Sequence, residues 1–216
     1  MKNLSVQFFS LLMLISLVSC GQKVKKMEAK QPQKDLSKYS KATFASGCFW
    51  CMEGVYESVK GVEEVISGYS GGKEANPTYE QVGAHQTGHA ESVEVYYNPS
   101  VVSYATLLKV YFASQDPTQV NGQGPDHGTP YRSIIFYRTP EEKAAAEKYK
   151  SEIQKNFNKP IAAEIVAYQK FWPAEDYHQD YIQHNHDVPY VQGESIPRIK
   201  RFQKQFPELI KPDHKF

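Results

Sequence analysis

The order in which the hydrophobic period switches along the chain is what most restricts its fold. "KATFAS", residues 41–46, reads as a strand that ends at Gly47, a natural turn. From Cys48 the apolar residues Trp50, Met52, Val55, Tyr56 and Val59 recur at mixed spacings of three and four, which predicts an amphipathic helix to about Lys60. "VEEVISGYSGG" reads as a strand ending in a Gly-rich loop. "SVEVYYN" alternates Val93, Val95 and Tyr97 against Ser92, Glu94 and Tyr96, a half-buried strand stopped by Asn98-Pro99. "SYATLLKVYFAS" predicts a helix capped by Ser103, and "YRSIIFYR" a strand. "TPEEKAAAEKYKSEIQKNF" predicts a helix with Thr139 as cap, Pro140 in its first position and Glu142 closing a capping box. "AAEIVAYQ" is a further strand, "AEDYHQDYIQHN" a short helix and "RIKRFQKQF" a terminal helix. This order predicts one α+β domain over 41–207 with a tail at 208–216. The architecture expected is a two-layer sandwich, a mixed β-sheet on a ferredoxin-like βαββαβ core covered by helices.

A chain of 216 residues with 40% hydrophobic content can bury one good core. Its 25 basic and 24 acidic residues nearly cancel, so charge does not call for nucleic acid as a partner. A monomer is expected.

Residues 1–19 are a different material: a short basic start and an apolar run to Val18, too short and too abruptly ended for a membrane span. The run closes at "LVSC", which resembles the lipobox of bacterial lipoprotein signal peptides. That resemblance implies cleavage before Cys20 and acylation of Cys20, a stable anchor when two or more chains are attached. An ordinary signal peptide beside a stray cysteine is the alternative. Residues 20–40 are polar, Lys-rich and aperiodic, a flexible tether. The expected location is the cell envelope, with the domain held to a membrane outside the cytoplasm.

The remaining two cysteines stand in "ASGCFWCMEG", Cys48 and Cys51 with Phe49 and Trp50 between them. A structural disulfide there closes so small a loop that it removes little chain entropy. Three chemistries fit better: a metal site, a thioredoxin-like redox pair, or a nucleophile with its own resolving thiol. In a first helical turn Cys48 lies beside unpaired amides and the positive end of the dipole, which favours its thiolate. Adjacent aromatics cannot both point into the core, so Phe49 or Trp50 should line the cavity onto which Cys48 opens. His85, His89 and Glu91 have metal-like spacing, but Gly83 and Gly88 argue against a ligand-presenting helix there. His178, His184 and His186 offer further ligands, so a tetrahedral site of Cys48, Cys51 and two histidines stays open.

Six stretches, "GCFWCMEG", "GYSGG", "NPTYEQV", "GHAESVEVYYNP", "DHGTPYRSIIFY" and "AEDYHQDYI", together resemble the A-type peptide methionine sulfoxide reductases, which reduce methionine S-sulfoxide. The resemblance runs from about Thr43 to Tyr190. It implies that Cys48 is the nucleophile and that Phe49 and Trp50 grip the sulfoxide's methyl group. It implies Glu91 as the acid that protonates the sulfoxide oxygen, Tyr79 and Tyr131 as hydrogen-bond donors to that oxygen, and Asp126 as support. His178 and Tyr181 would lie nearby with a lesser role. No bound cofactor or metal is implied, and electrons would come from thioredoxin or a thioredoxin-like dithiol protein. Substrates would be oxidised proteins or peptides carrying methionine sulfoxide.

The chemistry asks for these groups independently. A thiolate attacking a sulfoxide sulfur leaves an oxygen that gains negative charge, which a proton donor and neutral hydrogen-bond donors stabilise. Glu91 can give a proton only if burial keeps it protonated. The chain departs from the family in its C-terminal region, where many members carry resolving cysteines and this one has none. Cys51 stands where many members have glycine, and is inferred to resolve the Cys48 sulfenic acid.

Overall fold

β1 (Ser40–Ala45) lies antiparallel to β3 (Ala90–Tyr97), in register from Ser40↔Tyr97 to Phe44↔Val93. Around this pair the sheet is built outward in both directions. β2 (Val62–Ser70) pairs with the other side of β3, and β6 (Ile134–Tyr137) with the other side of β1, both antiparallel. β7 (Glu164–Ala167) adds to β6 in parallel, and the short β8 (Phe171–Pro173) to β2 antiparallel. The order β7-β6-β1-β3-β2-β8 is a mixed sheet, and with its helices the domain is α+β. The structure, a computed structural model, describes residues 34–214, and those from Asp35 onward form one compact unit. The signal peptide, Cys20 and most of the tether expected from the sequence lie outside the described residues.

β3 is covered on both faces, not half-exposed as its alternation predicts. All eight of its residues are buried. Burial of Glu94 is tolerable because Lys41 Nζ (3.0 Å), Arg138 Nη2 (2.9 Å) and the Tyr96 hydroxyl (2.8 Å) surround its carboxylate. On the helical side Phe44 stacks on Tyr56 at 5.3 Å and meets Tyr111 at 5.4 Å. These rings join β1 to α1 (Phe49–Glu57) and α3 (Tyr104–Ala113), each contributing roughly 1.5–3 kcal/mol by burial.

Local signals set the helix starts. Ser103 Oγ accepts from the Thr106 N–H at 3.1 Å and opens α3. Thr139 Oγ1 accepts from the Glu142 N–H at 3.2 Å and opens α4 (Pro140–Gln154). The Glu142 carboxylate reaches one residue further back than a capping box requires, accepting from the Arg138 N–H at 2.6 Å. "AEDYHQDYIQHN" forms two short turns instead of one helix: a 3-10 turn at Asp176–His178, then α5 (Tyr181–His184). Asp180 between them is left-handed, with φ of 52°, which breaks the helix.

Four small elements were not legible as such: α2 (Tyr79–Gly83), the paired dipeptides β4 (Gly122–Gln123) and β5 (Asp126–His127), and the edge strand β8. At the far end a π turn over Val191–Ser195 leads into α6 (Ile196–Gln205), which packs on α1. Beyond 207 the chain stays attached: Ile210 is buried and bridges Val59, with the Lys60 N–H on Leu209 O at 2.8 Å.

Candidate active site

The site begins at a backbone constraint. Gly47 carries φ of +66°, and a Cβ there would sit 2.5 Å from Gln123 Cβ, so the turn out of β1 needs glycine. Its N–H donates to Tyr131 O at 3.1 Å, tying Tyr131, at the end of a 3-10 turn, to the loop that carries Cys48. Cys48 is the residue before α1, with φ −58° and ψ 127°. The first amide of the helix, the Phe49 N–H, donates to Glu91 Oε2 at 3.0 Å.

Glu91 sits on β3 opposite Tyr69 and is 3% exposed. Burial pushes its carboxyl up to about 8, against the pull of the Phe49 amide and with help from the charges of Asp126 and Cys51. At neutral pH it holds a proton.

A cavity of about 350 Å³ opens between these elements. Its thiol side is Cys48, its polar wall Glu91, Tyr79, Tyr131, Asp126 and Tyr190, and its apolar wall Phe49, Trp50, Tyr181 and Val188. The Trp50 and Tyr181 rings are stacked at 3.7 Å, 6° apart. Phe49 is 1% exposed and packs between Trp50 (6.0 Å), Tyr69 (5.9 Å) and Tyr79 (6.3 Å). Both aromatics of the CFWC stretch therefore line the cavity. Tyr79 is held at the start of α2, where its N–H donates to Glu175 Oε1 at 3.1 Å while Tyr69 OH donates to Glu175 Oε2 at 2.9 Å. Burial, with Glu91 and Cys48 nearby, pushes the Tyr79 hydroxyl up to about 12, and burial also raises that of Tyr131. Both are neutral donors. His178 lies behind this wall: its Nδ1 accepts from Trp50 Nε1 at 3.2 Å, and burial lowers its pKa, so it is neutral with its proton on Nε2.

The two thiols divide their charge against the expectation from helix position. Cys48 and Cys51 are 5% and 3% exposed. Burial, the hydrogen bond with Cys51 and the nearby charges of Cys51, Glu91 and Asp126 push the Cys48 thiol well up. The first helical amide goes to Glu91, not to sulfur. Cys51 is held down by the hydrogen bond from Cys48, and beyond that by Arg198, Ser195 and Tyr190, which outweigh its own desolvation. Of the two, Cys51 is the thiol whose surroundings favour loss of its proton.

Residues 40–210 match the family model described as peptide methionine sulfoxide reductase. The chain belongs to that family. It is 47% identical over 174 residues to peptide methionine sulfoxide reductase MsrA 2 of Synechocystis sp., covering 79% of this chain and 81% of that one. It is 45% identical over 167 residues to MsrA of Sulfolobus acidocaldarius, covering 77% and 95%. Among solved structures it is similar to Mxr1 from Saccharomyces cerevisiae in reduced form, with a TM-score of 0.65 and 33% identity over 73% of this chain and 92% of that one. Methionine sulfoxide reductase A of Corynebacterium diphtheriae gives a TM-score of 0.61 at 31% identity, covering 68% and 74%. The chain is thus an A-type peptide methionine sulfoxide reductase, an oxidoreductase.

In this reductase the metal-like spacing of His85, His89 and Glu91 comes apart. His85 lies against Gly128, and the buried His89 ring bonds Gly72 N–H (3.2 Å) and Glu74 O (2.8 Å). No three His, Cys, Asp or Glu side chains among the described residues are grouped to hold a metal ion. Sequence reasoning missed Tyr190, Val188, Ser195 and Arg198. Tyr190 OH donates to Asp126 Oδ2 at 2.6 Å and lies 4.0 Å from Cys51 Sγ, and Ser195 Oγ is 3.2 Å from the same sulfur. All four stand in a stretch whose spacing gives no chemical signal.

Proposed function

We propose that the reductase converts methionine (S)-sulfoxide, free or in proteins, to methionine through a Cys48 sulfenic acid that Cys51 resolves as a disulfide. The observation that carries this reading is the placement of a protonated, buried Glu91 and two neutral phenols, Tyr79 and Tyr131, in one cavity with Cys48. Phe49 and Trp50 offer the sulfoxide's methyl group an apolar wall. Tyr181 and His178 hold Trp50 in place, and Asp126 is fixed by Tyr190.

The steps balance. Cys48 passes its thiol proton to Cys51 as its sulfur attacks the sulfoxide sulfur. Glu91 gives a proton to the oxygen, Tyr79 and Tyr131 hydrogen-bond it, and the oxygen passes to Cys48, leaving the thioether and Cys48–SOH. Cys51, now carrying that proton, attacks the Cys48 sulfur and gives the proton to the departing hydroxyl; the S–O bond breaks, the oxygen leaves as water, and a disulfide forms. A thioredoxin-like dithiol supplies two electrons to reopen it.

Oxidised methionine turns an apolar side chain polar, so repair of envelope proteins is the biological role proposed, with acylated Cys20 as anchor and residues 21–40 as tether. The central strand order β6-β1-β3-β2, all antiparallel, supports reading the core as a ferredoxin-like βαββαβ unit.

The test supplies R and S methionine sulfoxide peptides to wild type and Cys51→Ser with thioredoxin as reductant. Consumption of the S form only, with the variant stopping after about one turnover, is expected. Sustained turnover by the variant would remove Cys51 from the cycle, and consumption of R would overturn the stereochemistry. Incorporation of labelled fatty acid into the wild type but not Cys20→Ser tests the anchor.

A further inference from the structure

Arg198, on α6, is a cation in an unusual place. It is 7% exposed, yet no carboxylate among the described residues lies within ion-pair distance. Its Nε donates to Ser114 O at 2.6 Å and its Nη1 to Ser46 O at 3.1 Å. Its Nη2 reaches Ser46 Oγ at 3.3 Å and Met52 Sδ at 3.1 Å. Every one of these acceptors is neutral. A desolvated guanidinium satisfied only by neutral groups still lacks a counter-charge, which makes its burial costly unless an anion forms close by.

Of the groups able to supply that anion around the cavity that Arg198 lines, Asp116 and Glu194 are exposed and Asp126 is half-buried, whereas Cys51 is buried. Arg198 and Cys51 line one cavity of about 270 Å³, on the far side of Tyr190 and Asp126 from the cavity that Cys48 lines. The π turn ahead of α6 adds a second feature. It sets the wholly buried Ser195 with Oγ 3.2 Å from Cys51 Sγ, where the hydroxyl can donate to a thiolate. The other titratable groups facing the pair are Cys48, Glu91, Asp126 and Tyr190, with Asp116, Glu194 and Arg201 around the shared cavity and Tyr56 and Tyr111 beside Arg198. Glu91 is protonated and Tyr190 is neutral, while Asp126 opposes a second negative charge. Arg198 and Arg201 favour one, Arg201 from an exposed position and Arg198 from a buried one.

We propose that Arg198 and Ser195 are positioning residues that hold Cys51 as a thiolate, the buried cation supplying the charge and the hydroxyl the hydrogen bond. The inference rests on Cys51 as the resolving thiol and adds a direction to the cycle. A thiolate at Cys51 is the base for the Cys48 proton during attack on the sulfoxide. In recycling, the donor's thiolate attacks the Cys48 sulfur, the Cys48–Cys51 bond breaks, and its electron pair goes to Cys51, the better leaving group. The donor's second thiol then displaces Cys48, so the donor dithiol is oxidised to a disulfide and both enzyme thiols are reduced.

The test uses the full chain carrying Cys20→Ser and Cys48→Ala, in which Cys51 is the one remaining cysteine. Thiolate absorbance near 240 nm is followed against pH, a readout that needs no access to the buried sulfur. Arg198→Met is expected to raise the Cys51 midpoint by about one pH unit or more, and Ser195→Ala by a fraction of that. Arg198→Lys, which keeps the charge and loses the fork, should stay close to the parent. Equal midpoints in all four proteins would overturn the proposal. Should Arg198→Met fail to fold, Ser195→Ala decides, an unmoved midpoint counting against it. Turnover of Cys51→Ser with thioredoxin separates the two readings: sustained turnover removes the resolver, whereas the titration reports on Arg198 and Ser195 regardless.

Discussion

The Phe49 amide and the Glu91 carboxyl are joined by a 3.0 Å hydrogen bond, so the helix start that presents Cys48 also fixes the group placed to protonate the substrate. Glu91→Gln keeps an acceptor for that amide and removes the proton. Sulfoxide reduction should fall by about 10²–10⁴-fold while dithiol–disulfide exchange by the cysteine pair persists. The pH dependence has a definite sign. The donor form exists below about 8, so wild-type single-turnover rates should drop as pH rises through that value. The Gln variant should lack this limb. A rate that stays level from pH 7 to 9 would exclude Glu91 as the donor.

Tyr190 OH and Asp126 Oδ2, 2.6 Å apart, form the partition between the two cavities on either side of the thiols. Tyr190→Phe keeps the ring and removes the donor. Hydrogen bonds to charged groups contribute about 1.5–3 kcal/mol, so kcat/KM should fall about tenfold or more. Most of the loss should vanish in the Asp126→Asn background. Additive losses in that double-mutant cycle would mean that the bond does not matter.

Glu53, 1% exposed on α1, is a buried acid with Glu57 and Asp180 close by, and burial first, then Glu57, raise it to about 9. Its unfolded value is near 4.5. A raised folded pKa means the folded state holds a proton the unfolded state gives up, so this stabilisation is complete below about 4.5 and is lost as pH rises toward 9. Glu53→Gln removes that linkage. Relative to wild type it should gain stability between pH 5 and pH 8, on the order of 4 kcal/mol. Thermal melts at the two pH values check this, and a constant difference would show that Glu53 is ionised in the fold.

Gly68 faces β8 so closely that a Cβ would lie 2.3 Å from Trp172 O and 2.4 Å from the Phe171 ring. Backbone must shift to admit it. Gly68→Ala should cost about 1–3 kcal/mol and lower Tm by several degrees. Because β8 leads into Glu175, which holds the Tyr79 amide, KM for sulfoxide should rise as well. A lowered Tm with unchanged kinetics would confine β8 to a structural role.

What the sequence disclosed was what neighbours in the chain decide. Thr139-Pro140 and Ser103 mark α4 and α3 because a cap satisfies amides two or three residues away. α2 escaped notice although Thr78 and Gln81 form a capping box, since five residues carry too little periodicity to read. Alternation in β3 pointed to a solvated face, and only the arrival of Lys41 and Arg138 shows why Glu94 is buried. Cys48, Phe49, Trp50, Tyr79, Glu91, Asp126 and Tyr131 were named through resemblance and do meet at one cavity. Tyr190, Ser195 and Arg198 were invisible because their partners are 64, 144 and 152 residues away.

Those separations have a temporal meaning. A ribosome delivers Cys48 and Cys51 well before Ser195 and Arg198, and at about 5–20 residues per second the gap lasts on the order of ten seconds. Throughout that interval the pair has neither buried cation nor serine hydroxyl, and behaves as two ordinary thiols. The nascent chain therefore carries Cys51 in an unarmed form, and the later arrival of the π turn and α6 arms it.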